Sequence, residues 1–448
     1  MTSGRPVPVA IVGGGFSGTM VAAQLARRGI ACLLIEGEGR EGLGTAFSTR
    51  EPAHLLNVRA EAMSAWPDAP GDFARATGDP RGFAERRDFG RYLREILDQA
   101  IASGLLQVAA AKAVNAERRD GRWAIALGNG TEITAAALVL AIGNQPPERL
   151  AVARDVGPRL INNPWSNEAA AAIAEVARSG GDVLLIGTGL TMIDAVLSLC
   201  AAGHSGRIVA LSRRGQVPRA HADFDAAPVE FEEVPQGKLL GLWRWLRRRS
   251  GAVGWRAAID SLRPHSQKLW QSLPAEEQRR FLRHARPWWD VHRHRIAPQV
   301  ARQIAELVAE ARLEIVAGRI AAMRAVDGGV EVEIGRRGEG QFFDKLRTNG
   351  LGEQHRTRFA FAFNCTGPLG AIGRTRDALL RGLLERGLVR ADAHGIGLQV
   401  DERSRAGEGL WALGPLSKGR FWEIVAVPDI RVQAAAVAED IAGELRTI

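Results

Sequence analysis

Short, unbroken apolar runs recur along this chain, each followed by small residues and then by a stretch with helical spacing. Val9-Ala10-Ile11-Val12 is one such run and Val183-Leu184-Leu185-Ile186 is another. Continuous aliphatic runs of this length predict strands buried on both faces, as in parallel sheets covered by helices. Behind the first run the spacing predicts a helix from Phe16 to Arg28, closed by Gly29, and a second strand at Ala31-Cys32-Leu33-Leu34-Ile35. The same layout returns behind the second run, with a helix over 190–202 and a strand over 207–211. Trp123–Leu127, Thr131–Ile133 and Val330–Ile334 read as half-buried meander strands. Leu410–Pro415 reads as a last strand. A long helix over 429–446 follows, with Pro428 suited to its first turn.

Both apolar runs open directly onto a glycine-rich turn. Gly13-Gly14-Gly15-Phe16-Ser17-Gly18 has G-x-G-x-x-G spacing, and Gly187-Thr188-Gly189-Leu190-Thr191-Met192 repeats it with Met192 in the third small place. Glycine allows the tight turn and lets the backbone approach a diphosphate. The open N–H groups and positive end of the next helix can then hold that group. One such turn is weak evidence; two in strand-turn-helix context predict a protein that brings two dinucleotides together. The expected fold class is α/β, with two Rossmann-like dinucleotide-binding domains, β-meanders and a helical insert.

The ends of the two second strands differ. Glu36 lies 18 residues beyond Gly18, where a carboxylate accepts ribose hydroxyls and repels a 2′-phosphate. The corresponding place in the second half carries Ser212-Arg213-Arg214, and paired guanidinium groups suit a 2′-phosphate. FAD or NAD is therefore expected at the first loop and NADPH at the second.

At 448 residues and 46% hydrophobic content the chain can bury two or three domains' worth of core. The N-terminus runs straight into the first strand, no apolar run reaches membrane-spanning length, and cysteines are few. A reducing, cytoplasmic setting is expected. The net charge of +9 comes with arginine in excess of lysine, and without a nucleic-acid motif no nucleic-acid partner is expected. Cys32, Cys200 and Cys365 are far apart in sequence, so dithiol exchange through a C-x-x-C pair is excluded and all three are expected to be packing residues.

Longer irregular strings are more specific. They are Gly42-Leu43-Gly44-Thr45-Ala46-Phe47, His54-Leu55-Leu56-Asn57-Val58, Met63-Ser64-Ala65-Trp66-Pro67-Asp68, the run from Arg286 to Arg295, and Phe421-Trp422-Glu423-Ile424 with Val427–Arg431. With the loops, they make the chain resemble the FAD/NAD(P)-binding flavoprotein superfamily of thioredoxin reductases, flavin monooxygenases and N-hydroxylases. More narrowly, it resembles the bacterial YdhS-like NAD(P)/FAD-binding proteins. The resemblance implies FAD at the first loop, with Gly44, Thr45, Ala46, Asn57 and Met63 as further cofactor contacts. It also implies that the turns Gly143-Asn144 and Thr366-Gly367, and the pairs Gly414-Pro415 and Glu423-Ile424, pass near the flavin. The usual Gly-Asp before the last helix is Gly414-Pro415 here, which leaves the ribityl contact unassigned. The F-x-G-x-x-x-H-x-x-x-W signature of ketone-oxygenating relatives is missing from the sequence.

The resemblance divides the chain into a discontinuous FAD-binding domain (1–165 and 360–448), an NAD(P)-binding domain (166–225 and 306–359) and a helical insert (226–305). It implies NADPH-dependent reduction of FAD and a monooxygenase of N-hydroxylase type, acting through a C4a-peroxyflavin with dioxygen on an amine or amino acid. An NAD(P)H:acceptor oxidoreductase and a non-catalytic flavin-binding protein are the alternatives, the latter suggested by Met192 and Pro415. In the insert, Trp288 and Trp289 can wall a flat or apolar group, while Arg286, His292 and Arg295 can bind a carboxylate or relay protons. No metal is expected, because His292 and His294 face opposite ways on a helix without an acidic or thiol partner at ligand spacing. The basic aromatic stretch Gly241–Arg249 suits a membrane surface, but is expected to pack on its own domain.

Overall fold

In the computed structural model, which describes residues 7–153, 156–336 and 354–446, both apolar runs that precede glycine loops are buried strands of mainly parallel sheets. The chain divides into two units. Unit 1 comprises Met1–Gln145, Phe224–Ala285 and Leu369–Ile448, and unit 2 comprises Pro146–Asp223 and Arg286–Pro368.

In unit 1 the sheet runs in the order Arg405–Gly407, Leu410–Ala412, Glu132–Leu140, Val7–Val12, Cys32–Ile35, Leu106–Ala109. The central pairs are parallel, and Val12 lies between Ile35 and Leu140. Helices Phe16–Arg27 and Val427–Leu445 cover one face, where Met20, Leu25, Trp411, Val437 and Ile441 are fully buried. Glu132–Leu140 extends well beyond the meander segment Thr131–Ile133 read from the sequence and serves two pairings. Its first half pairs antiparallel with Arg122–Leu127 and its second half parallel with Val7–Val12. The small residues Ala135, Ala136 and Ala137 bridge them with no alternation to reveal the continuity.

Unit 2 repeats this order. Phe361–Asn364, Val183–Ile186, Ile208–Ser212 and Leu313–Val326 are consecutive parallel neighbours. Leu313–Val326 then bends through a register shift near Ile320 and pairs antiparallel with Gly329–Arg336. Register makes Ile35 and Leu211 equivalent, and likewise Leu140 and Asn364.

The division differs from the sequence-based domains in two places. Residues 146–165 and 360–368 fall in unit 2, because Leu160–Ile161 and Val183–Ile186 flank Phe361–Asn364 in one sheet. The helical stretch 226–305 is not one insert. Phe224–Ala285 belongs to unit 1, where Trp270 stacks on Trp422 at 4.8 Å and donates through Nε1 to the Gly419 carbonyl at 2.8 Å. Phe281 meets Trp422 edge-on at 5.3 Å. From Arg286 the chain belongs to unit 2, tied by bonds from the amides of Arg219 to Val291 and His221 to Ile296, both 2.9 Å. No helix among the described residues is long and apolar enough to cross a membrane.

Candidate functional site

The first loop is held from three sides. Gly13 has φ +106°, and a Cβ there would lie 2.5 Å from the Ala141 carbonyl oxygen; its amide bonds the Ile35 carbonyl at 3.0 Å. Gly18 packs so closely that a Cβ would meet the Gly13 oxygen at 1.9 Å. The 42–44 segment lies across the loop, with Gly42 N donating to Gly14 O at 2.8 Å and a Cβ on Gly44 falling 2.9 Å from Gly15 Cα. The amides of Gly15, Phe16 and Ser17 make no hydrogen bond among the described residues. They are the open donors of a helix N-terminus, suited to an anion.

Glu36 stands where the sequence placed it. Its Oε2 accepts from the Gly14 amide and its Oε1 from the Glu38 amide, both at 2.8 Å. Each oxygen keeps a lone pair for a further donor, so the carboxylate is fixed and still able to take a ribose diol.

The second loop matches the first at the backbone. Gly187 has φ +121°, its Cβ would lie 2.2 Å from the Cys365 carbonyl oxygen, and its amide bonds Leu211 O at 2.7 Å. Cys365 therefore corresponds to Ala141, and the turn Thr366-Gly367 closes the loop of unit 2. Gly143 and Gly367 both have left-handed backbone, at φ +74° and +87°. Met192 is fully buried at the start of the helix Leu190–Ala201, so this loop accommodates a large side chain where the first tolerates none. Ser212 occupies Glu36's place. Arg213 and Arg214 follow, exposed and half-buried, without a side-chain partner among the described residues.

In unit 1 a cavity is lined by Gly143, Asn144, Gln145, Ile396, Pro415 and Lys418. Gly414 has φ +63°, and a Cβ there would meet Ser17 Oγ at 2.7 Å, so this turn backs onto the first helical turn of the loop. The buried Gln433 holds the backbone of this turn. Its Oε1 accepts from Gly414 N at 2.8 Å and its Nε2 donates to Ser417 Oγ at 2.9 Å and Ser404 Oγ at 3.0 Å.

Other candidate contacts separate by burial. Thr45 and Ala46 are exposed beside the loop and Asn57 is half-buried. Met63 and Ile424 are 3% and 1% exposed within the apolar core, so protein already covers them and they act as packing. The Phe16 ring likewise packs near Phe89, which leaves its amide as the functional group. Glu423 is buried with φ +71°, a left-handed backbone rare outside glycine and concentrated at functional sites.

The helix Arg286–Arg293 spreads the substrate candidates over different sides. Trp288 is 45% exposed and Trp289 is buried, so the two indoles do not form one wall. Arg286 Nε lies 3.2 Å from Asp290 Oδ2, His292 Nδ1 donates to the Trp288 carbonyl at 2.8 Å, and the buried Arg295 donates to the His292 carbonyl at 3.1 Å. Burial raises the thiol pKa values, pushing Cys32 up to about 12. Cys365 is raised by burial and by Asp194, and Cys200 by burial. In the basic stretch, Arg249 bonds the Ala227 carbonyl at 2.6 Å and the Pro228 carbonyl at 3.0 Å, which ties the helix Leu239–Val253 to its own unit.

Residues 10–145 match the model of a family described as FAD-NAD(P)-binding. No curated protein matches the sequence. Solved structures share the fold over nearly the whole chain. Ornithine hydroxylase from Pseudomonas aeruginosa is similar with TM-score 0.65 and 16% identity, covering 98% of this chain and 100% of that one. An ornithine N-hydroxylase from Kutzneria sp. 744, solved with reduced FAD, NADP+ and L-ornithine, is similar with TM-score 0.63 and 15% identity, covering 99% and 100%. A bacillithiol disulfide reductase from Staphylococcus aureus is similar with TM-score 0.57 and 13% identity, covering 98% and 99%. The fold is that of the flavoproteins with two dinucleotide-binding domains.

Proposed function

We propose that this chain is an FAD-dependent, NADPH-using oxidoreductase that hydroxylates the nitrogen of a small amine or amino acid with dioxygen. The observation that carries the reading is the opposite polarity of two superimposable loops, with Glu36 at one strand end and Ser212-Arg213-Arg214 at the other. Bound FAD would supply two-electron redox chemistry and the means to activate dioxygen.

The part of the protein is binding and positioning. The open amides of Gly15, Phe16 and Ser17 would hold a diphosphate and Glu36 the ribose hydroxyls, while Gly143, Asn144 and Pro415 line the adjoining cavity. Arg213 and Arg214 would pair with a 2′-phosphate. Disulfide exchange, the activity named for one neighbour of the same fold, is disfavoured by three separate cysteines whose thiols burial keeps protonated. That leaves the hydroxylases as the better guide to the reaction. For the substrate we retain Trp288 and His292, four residues apart on one side of the helix Arg286–Arg293, with the exposed Arg286 on another side and Trp289 and Arg295 buried.

The test is product stoichiometry. FAD-loaded protein is incubated in air with NADPH and a panel of diamines and basic amino acids, and hydroxylamine product is measured against NADPH consumed. Near-equal amounts with one substrate support oxygen insertion. Hydrogen peroxide alone with every substrate removes it and leaves an NADPH:acceptor oxidoreductase.

A further inference from the structure

Register makes Gly14 and Thr188 equivalent, as it does Glu36 and Ser212. In unit 1 the loop lies so close to the strand end that a Cβ on residue 14 would sit 2.9 Å from Glu36 Cβ and 3.0 Å from its Cγ and Oε2. Unit 2 carries a Cβ at both of these places, in Thr188 and Ser212, so its loop and strand end are spaced to hold the two side chains together.

Unit 2 makes a different contact. Thr188 is buried, and its hydroxyl lies 2.9 Å from Ser212 Oγ and also reaches the Gln216 carbonyl. A carbonyl only accepts, so the threonine proton goes to Gln216 and the serine proton to the threonine oxygen. Ser212 Oγ in turn accepts from the Gly215 amide at 3.0 Å. These bonds tie the loop to both ends of the turn 212–216, and Gly215 packs that turn against Ala317. Arg213 and Arg214 lie in the middle of it.

We propose that Thr188 is a positioning and specificity-determining residue of the second nucleotide site. Its hydroxyl holds the Arg213-Arg214 turn for a 2′-phosphate. The proposal rests on the NADPH reading above and names the device behind it.

The experiment is calorimetric titration of the full-length, FAD-loaded protein with NADP+ and, separately, NAD+. Thr188→Val keeps the volume and removes the hydroxyl. The NADP+/NAD+ affinity ratio should fall about tenfold, the worth of roughly one hydrogen bond, while NAD+ affinity stays unchanged. Thr188→Ser should restore the ratio, an outcome that general damage to the unit does not predict. A wild-type ratio in Thr188→Val overturns the proposal. Wild-type protein that shows no preference for NADP+ overturns the NADPH reading itself, which is a separate and distinguishable result.

Discussion

Alanine at Gly15 and alanine at Gly18 should both abolish tight FAD binding, but for different reasons that a thermal melt separates. At Gly18 the new Cβ would lie 1.9 Å from the Gly13 carbonyl oxygen, and ordinary contact begins at 3.4 Å, so loop and helix must part by about 1.5 Å. Strain of this kind reaches the upper end of the ~1–3 kcal/mol typical of overpacking. Replacing glycine within a helix returns about 1 kcal/mol of propensity, so the apoprotein should lose roughly 2 kcal/mol.

At Gly15 the nearest atom to a new Cβ is Gly44 Cα at 3.5 Å, and φ is −78°, so alanine fits the apoprotein without strain. The methyl group instead stands where a diphosphate must approach the backbone. Lengthening two charge-assisted amide contacts beyond bonding distance costs about 1.5–3 kcal/mol each, which weakens FAD roughly 10²–10⁴-fold. The assay is FAD titration by flavin fluorescence, with melts of the FAD-free proteins. Gly15→Ala should melt like wild type yet lose FAD, while Gly18→Ala should lose both stability and FAD. Wild-type FAD affinity in Gly15→Ala would refute the assignment of this loop as the diphosphate seat.

Replacing Arg213 and Arg214 together by Gln should lower NADP+ affinity by about 10- to 100-fold through lost charge-assisted bonds and leave NAD+ affinity unchanged; a parallel loss of both would contradict their pairing with a 2′-phosphate. Trp270→Ala removes a 3% exposed indole stacked on Trp422 and should cost about 3–5 kcal/mol, read as early protease cleavage within 224–285; wild-type resistance would refute this docking. Burial lowers the pKa of His394 below 6.5 and Arg279 adds to the effect, with Asp392 opposing. The unfolded state therefore takes up the proton first, and stability is lost as pH falls from about 6.5 through the folded value. Denaturant midpoints of His394→Gln should decline less steeply than wild type over that range, and identical slopes would contradict the assignment. Native protein should keep its NADPH oxidation in excess N-ethylmaleimide, because all three thiols are held protonated by burial; rapid inactivation would point to a thiol role.

Much of this was legible in the sequence because it rests on contacts between near neighbours. A G-x-G-x-x-G turn fixes its own backbone, and the residue ending the next strand must fall beside it, so the places of Glu36 and Ser212-Arg213-Arg214 next to the loops could be read directly. Contacts between distant segments were hidden. Nothing local to Trp270 says that it stacks on Trp422, and on that contact depends whether 224–285 is a separate insert or part of unit 1. Gln433 and Thr188 were passed over for a related reason. Each is an ordinary residue in its own element and gains meaning only from the Gly414 amide or the Ser212 hydroxyl brought to it by the fold. Met63 and Ile424 lie buried in the apolar core, since a motif places a residue near a site but does not say which side it faces.

The central claim is that two loops of one design take two different nucleotides and act together in redox chemistry. An anaerobic titration of the FAD-loaded protein with NADPH and, separately, NADH tests it most directly, read as loss of the visible flavin absorbance. NADPH should bleach the flavin stoichiometrically at concentrations where NADH has little effect. A yellow protein that neither nucleotide bleaches would contradict it, and would leave a chain that binds flavin without using the second site.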